Sequence, residues 1–200
     1  MKTKVISILT ACLALTACVS SDSQNEPVSP NSETTTEVVA AANVWSIEYF
    51  VDDFGRATDE PYVIGGFSGT FSNSAATNEK LTGYIYVERY NDGDNIIEGV
   101  SFELWEYGSY QVKNIISTDK YYTVQILEDN ENVISERAVM KSEGNALCIW
   151  KDTSNVVVDA MKNNSKLTFR IDEEEGMDSY LFTVDCSGFA EIYSSAEWKV

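Results

Sequence analysis

LTGYIYVERYNDGDNIIEGVSFELW, residues 81–105, decides the fold. Two runs of alternating apolar and polar side chains, residues 81–89 and 96–105, flank Asn91-Asp92-Gly93-Asp94. A period of two marks a strand with one buried face. Asp-Gly suits a tight type I′ turn, because both central residues of that turn need φ > 0. With Asp92-Gly93 as the turn pair, Ile85 faces Val100, Gly83 faces Phe102 and Leu81 faces Leu104. All six lie on one side of the hairpin. Tyr84 then faces Ser101, Tyr86 faces Gly99 and Lys80 faces Trp105 on the other side. The consistency of the apolar side supports the pairing.

The same alternation extends in both directions. Upstream, Trp45, Ile47, Tyr49 and Val51 share one parity, Asp52-Asp53-Phe54-Gly55 reads as a turn, and residues 62–71 form an extended glycine-rich segment. Downstream, residues 111–116, 121–127, 133–140 and 146–150 read as strands joined by polar turns. Residues 154–163 fit a short helix capped by Ser154. A second hairpin pairs residues 166–172 with 180–186, and residues 189–198 could close the chain with another short helix. Many short strands at this spacing predict an all-β domain, an antiparallel sandwich or barrel with one or two short helices.

The N-terminus has a different character. Lys2 and Lys4 precede an apolar run over residues 5–15, the length of a secretory signal core. The run closes on Leu15-Thr16-Ala17-Cys18. This stretch resembles the lipobox of bacterial lipoproteins, in which the cysteine is acylated and becomes the new N-terminus. Leu9-Thr10-Ala11-Cys12 repeats the pattern but would leave too short a core. The resemblance implies that residues 1–17 are a signal peptide and Cys18 is the lipidation site. Membrane attachment then comes from acyl chains such as palmitate. Residues 18–43, rich in Ser, Thr, Asn, Glu and Pro after Cys18, form a disordered tether of ~25–30 Å. Residues 44–200 are the globular domain. Val19, in place of the aspartate associated with inner-membrane retention, points to the outer membrane, facing the periplasm or the surface.

Composition narrows the function. Removing the two lysines of residues 1–17 from 14 basic and 32 acidic side chains leaves 12 against 32, a net charge of −20. Phosphate-bearing partners are repelled, so nucleic acid is excluded and lipid is the only hold on the membrane. The chain has no histidine, which removes Ser-His-Asp and Cys-His catalysis and imidazole metal sites. The acidic runs match no calcium-loop spacing and read as solvated turns. Asp185-Cys186-Ser187-Gly188 misses the aspartic-protease triplet by one inserted residue, and Ser117-x-x-Lys120 lacks its companion motifs. No cofactor and no metal are implied. Cys148 and Cys186 both follow strand-like alternation on the apolar parity, with Ala146 and Trp150 and with Phe182 and Val184, and are candidates for a disulfide, with two free thiols as the alternative.

Trp45 with Asp53-Phe54-Gly55, Gly69-Thr70-Phe71-Ser72-Asn73-Ser74, and Gly188-Phe189-Ala190-Glu191-Ile192-Tyr193 resemble segments of Gram-negative secreted and lipid-anchored proteins of no assigned activity. That resemblance implies a compact β-sandwich-like module and transfers no active site. The candidate binding residues are Tyr84, Tyr86 and Trp105, which form an aromatic stripe opposite the apolar side of the hairpin. The expected function is a non-catalytic binding module at the envelope, its partner a glycan or a protein. The alternatives are a carboxylate-dependent hydrolase of an extracytoplasmic glycan and a structural envelope component.

Overall fold

The computed structural model describes residues 45–92, 95–151 and 153–199. The signal peptide, Cys12, Cys18, the tether and Gly93-Asp94 lie outside the described residues. The strands are β1 Trp45–Val51, β2 Ala57–Ser72, β3 Glu79–Asp92, β4 Asn95–Glu106, β5 Tyr110–Gln111, β6 Lys120–Leu127, β7 Val133–Met140, β8 Leu147–Ile149, β9 Lys166–Glu173 and β10 Ser179–Asp185. Two helices accompany them, α1 Ser154–Asn163 and α2 Phe189–Ser195. Eight strands close into an antiparallel barrel in the order β2, β3, β4, β8, β7, β6, β9, β10 and back to β2. Of the two all-β architectures expected, the chain adopts the barrel.

Closure depends on β2, which is 16 residues long. One of its edges pairs with β3 along most of its length. The other edge is divided, its first half taken by β1 and its last five residues by β10. The barrel's interior is filled by inward-facing side chains from every strand. Phe67 stacks on Phe182 at 3.9 Å between ring centres, Phe182 on Phe169 at 5.3 Å, and Phe102 meets both edge-on. Each such pair contributes about 0.5–1.5 kcal/mol beyond the area it buries. The rings fit because the strands beside them carry glycine. A Cβ on Gly83 would lie 2.5 Å from the Phe67 ring, and one on Gly69 would lie 2.2 Å from the Leu181 carbonyl oxygen.

Both helices sit at the barrel end where β4 and β9 begin and β10 ends. Val157, Val158, Ala160 and Met161 of α1 are buried there. Tyr193 of α2 donates its hydroxyl hydrogen to Glu98 of β4, and the ammonium of Lys162 lies 3.6 Å from the same carboxylate. Trp45 starts β1 with its ring 4.8 Å from Phe189 and its indole N–H bonded to the Asp185 carbonyl at 2.8 Å.

Several sequence expectations need correction. In the hairpin Ile85 pairs with Phe102, Gly83 with Leu104, Val87 with Val100 and Asp92 with Asn95. The register is thus two residues away from the one built on Asp92-Gly93, and the connection falls on Gly93-Asp94. A shift of two preserves which face each side chain takes, so the apolar side is unchanged. Residues 112–116 are not strand. There Asn114, almost fully buried, donates from Nδ2 to the carbonyls of Thr118, Met140 and Lys141 and ties the crossover between β5 and β6 to the end of β7. Ser154 does not cap α1. The N-cap is Thr153, and the Ser154 hydroxyl donates back to the Trp150 carbonyl at 3.2 Å.

The glycines supply a test of the barrel packing. Gly69→Ala should lower stability by about 1–3 kcal/mol, the usual penalty for overpacking. Gly66→Ala, three residues away on the outer face with its nearest neighbour 4.0 Å off, should change it by under about 0.5 kcal/mol. Urea denaturation of the two variants against the parent checks both values.

Candidate functional site

A barrel of eight strands can enclose one small ligand or fill itself with side chains. This one is filled, so binding geometry has to be sought on the outer wall. There the outward positions of the central strands are small or short: Gly99 and Ser101 on β4, Cys148 on β8, Val139 on β7. Ser101 pairs with Cys148, Cys148 with Val139, and Val139 with Tyr121 of β6. These residues form one continuous row across four strands. Tall side chains stand on either side of it, Glu88 and Tyr90 on β3 and Tyr121 on β6, with Trp150 and Lys151 after β8 and Lys141 after β7. The result is a groove of about 470 Å³ lined by all of these residues. That volume falls within the range of small-molecule sites.

The aromatic walls are held by charge. The Arg137 guanidinium lies 5.4 Å from the centre of the Tyr121 ring and 5.2 Å from that of Trp150. Its orientation is set by two hydrogen bonds to Glu174, at 2.9 and 2.8 Å. This bidentate pair holds the Glu174 carboxyl below the usual range. Lys141 donates to Asp119 at 2.8 Å and lowers its pKa as well. The Lys151 ammonium lies 5.3 Å from the Tyr90 ring centre. Trp150 itself is 43% exposed. On the floor, burial first and Glu88 second push the Cys148 thiol up to about 11, which keeps it protonated at neutral pH.

No protein-family model, curated protein or solved structure matches this chain. The chemistry of the groove therefore rests on its own residues.

The aromatic stripe Tyr84, Tyr86 and Trp105 does lie opposite the apolar side, as expected, but other strands cover part of it. Tyr84 is 45% exposed, whereas Tyr86 is only 8% exposed. The Tyr86 hydroxyl donates to buried Glu103 at 2.7 Å, and Gln111 of β5 donates to the same carboxylate. Tyr62 of β2 approaches Tyr86 at 5.8 Å and is itself covered by Phe50 of β1. Trp105 is half-buried and pairs with Gln111. Strands β1 and β5, both outside the ring of eight, thus reach the face that the isolated hairpin leaves bare.

Cys148 and Cys186 are free thiols, which corrects the disulfide expectation. Cys148 has the parity opposite to the one its alternation predicts. Leu147 and Ile149 are the buried residues of β8, and Cys148 points outward between them. Cys186 faces the core, where burial raises its thiol to about 12. A bridge needs both sulfurs on one side of the wall.

Paired carboxylates occur at the barrel end away from the helices. Glu106 and Asp178 are both shifted upward, chiefly by burial, Glu106 next by Asp178 and Asp178 next by Glu173. The Tyr180 hydroxyl is 3.5 Å from Glu106, and Lys120 is paired with Glu173 at 2.8 Å. Neither acid lines the groove or the smaller cavity of about 260 Å³ beside Phe71 and Arg170. Among the described residues no group of three or more acidic or cysteine side chains is placed to hold a metal ion.

Two predictions follow from these ionisable groups. Native full-length chain should leave Cys148 and Cys186 unmodified by iodoacetamide at pH 7.5, and denaturant should expose both. A non-reducing digest that yields a peptide linking the two would contradict this. Glu106 and Asp178 bind protons more tightly in the folded chain. Their contribution to stability is therefore complete below the unfolded carboxyl range, near pH ~4, and is lost as pH rises through the raised folded values. Asp178→Asn should stabilise the domain at pH 7 by less than about 1 kcal/mol, since the side chain is partly solvated. At pH 3 it should have no effect. Thermal melts at the two pH values measure the difference.

Proposed function

We propose that this protein is a lipid-anchored binding module of the bacterial envelope. Cys18 carries the acyl chains, residues 19–43 act as a tether, and the barrel presents the outer-wall groove to an extracytoplasmic ligand without transforming it. The observation that carries the binding role is the groove itself, a row of small residues walled by Tyr90, Tyr121 and Trp150 and steadied by the Arg137–Glu174 pair. The anchor is supported by the lipobox-like Leu15-Thr16-Ala17-Cys18 and by the −20 charge of the chain after residue 17, which leaves acyl chains as the means of attachment. No helix among the described residues is long and apolar enough to cross a membrane. Val19 favours the outer membrane. Hydrolysis of a glycan has weaker support, because the raised carboxyls Glu106 and Asp178 line neither of the two cavities.

Two measurements test this. Cells expressing the chain and fed alkyne-tagged palmitate should label the parent and Cys12→Ser, and should fail to label Cys18→Ser, which should also leave the membrane fraction. A library of small sugars, amino-acid amides and aromatic acids, screened by amide chemical shift, should perturb resonances of Tyr121, Cys148 and Trp150 as a cluster. Binders scattered over the surface, or no binder at this cluster, would remove the groove as the functional site.

A further inference from the structure

We infer that the ligand of the outer groove is a neutral glycan chain, laid across the strands with its sugar faces on Tyr90, Tyr121 and Trp150. This rests on the binding role proposed above and specifies its chemistry. The walls stand on β3 and β6, four strand spacings apart along the curved barrel wall, a contour of about 19 Å that is longer than the straight line between them. Walls carried on several strands suit a short chain better than a single ring. A sugar ring has an apolar C–H face and a rim of hydroxyls. It matches a flat aromatic side chain flanked by groups that can donate or accept hydrogen bonds. Here Glu88 and Ser101 accept, and Ser101, Lys141 and Lys151 donate.

Other classes of ligand fit less well. The charges on and beside the rim balance, with Arg137, Lys141 and Lys151 set against Glu174, Asp119 and Glu88. The Arg137 guanidinium beside the groove is held along its Nε–Nη2 edge by Glu174, so that edge is not available to clamp a carboxylate or phosphate. The chain's net charge of −18 also repels polyanions. A peptide adding as a strand needs an open sheet edge, but the floor residue Cys148 is paired on both sides, with Ser101 and with Val139. An acyl chain needs an enclosed apolar cavity, and the interior that could enclose one is occupied by Phe67, Phe102, Phe169 and Phe182. The Arg137–Glu174 pair fixes two of the three rings in advance, which cuts the ordering cost of binding.

The test is titration of the full chain, in detergent, with neutral tetrasaccharides of β-1,4-glucose, β-1,3-glucose, α-1,4-glucose and β-1,4-N-acetylglucosamine. Tetragalacturonate and a mixed tetrapeptide set serve as the charged and peptidic comparisons. Calorimetry should show at least one neutral chain binding, and tetragalacturonate at least tenfold weaker. Trp150→Ala and Tyr121→Ala should each weaken binding at least fivefold. Ser101→Trp, which fills the floor and leaves the walls in place, should abolish it with the melting temperature held within a few degrees. Preference for tetragalacturonate or peptides at the same residues would overturn the neutral-glycan assignment and leave the groove as a binding site. Failure of every neutral chain to bind would overturn it as well. The chemical-shift screen separately decides whether the groove binds anything.

Discussion

The contact between aromatic rings and bare glycine backbone inside the barrel governs the rest of the molecule. Eight strands closed in a ring leave an interior that must be filled to the density of a packed solid, because an unfilled void forfeits both dispersion and hydrophobic burial. Phe67, Phe102, Phe169 and Phe182 supply the bulk, and Gly69 and Gly83 remove the Cβ atoms that would collide with it. Filling the interior has a functional cost. A barrel of this strand number could have carried its ligand inside, and this one has no room to do so. The larger of the two cavities described above lies instead on the outer wall.

There the short strand β8 becomes decisive. With three residues it has one outward side chain, Cys148, and its two neighbours contribute Ser101 and Val139 at the same level. That line runs from Tyr121 on β6 to Tyr86 on β3, the partner of Ser101, and Glu88 and Tyr90 stand farther along β3. The groove is therefore produced by the size of a few outward residues on an ordinary sheet, with no inserted loop. Charge then stabilises what size created. Arg137 lies against two of the flanking rings while two bonds to Glu174 hold it in place.

Strand parity was legible in the sequence because it is local. The alternation in residues 81–105 assigned every inward and outward side chain of the hairpin, and it survived a register shift of two because faces repeat with that same period. What depends on partners far along the chain was not legible. The stripe of Tyr84, Tyr86 and Trp105 looks bare in the isolated hairpin, and only the pairing of β1 with β2 and of β5 with β4 shows Tyr86 and Trp105 partly covered. Leu147, Cys148 and Ile149 form too short a run for periodicity to tell inside from outside, and the parity of the cysteine was reversed. Asn114 gave no signal, since a lone asparagine in a polar stretch is unremarkable until three carbonyls converge on it. The groove assembles from five strands in a spatial order that differs from chain order, so no local pattern could disclose it.

The divided edge of β2 has a mechanical consequence. Strand β1 pairs with β2 but is not one of the eight strands that close the ring. A force transmitted from the N-terminal side of the chain reaches Trp45 first. That indole is buried against Phe189 and bonded to the Asp185 carbonyl, so it must be extracted before the β1–β2 ladder can yield. Even complete detachment of β1 would leave the circuit of eight strands hydrogen-bonded. Pulling on this domain would therefore meet Trp45 and the β1–β2 ladder first, before the load passes through residues 52–56 to β2 and the ring.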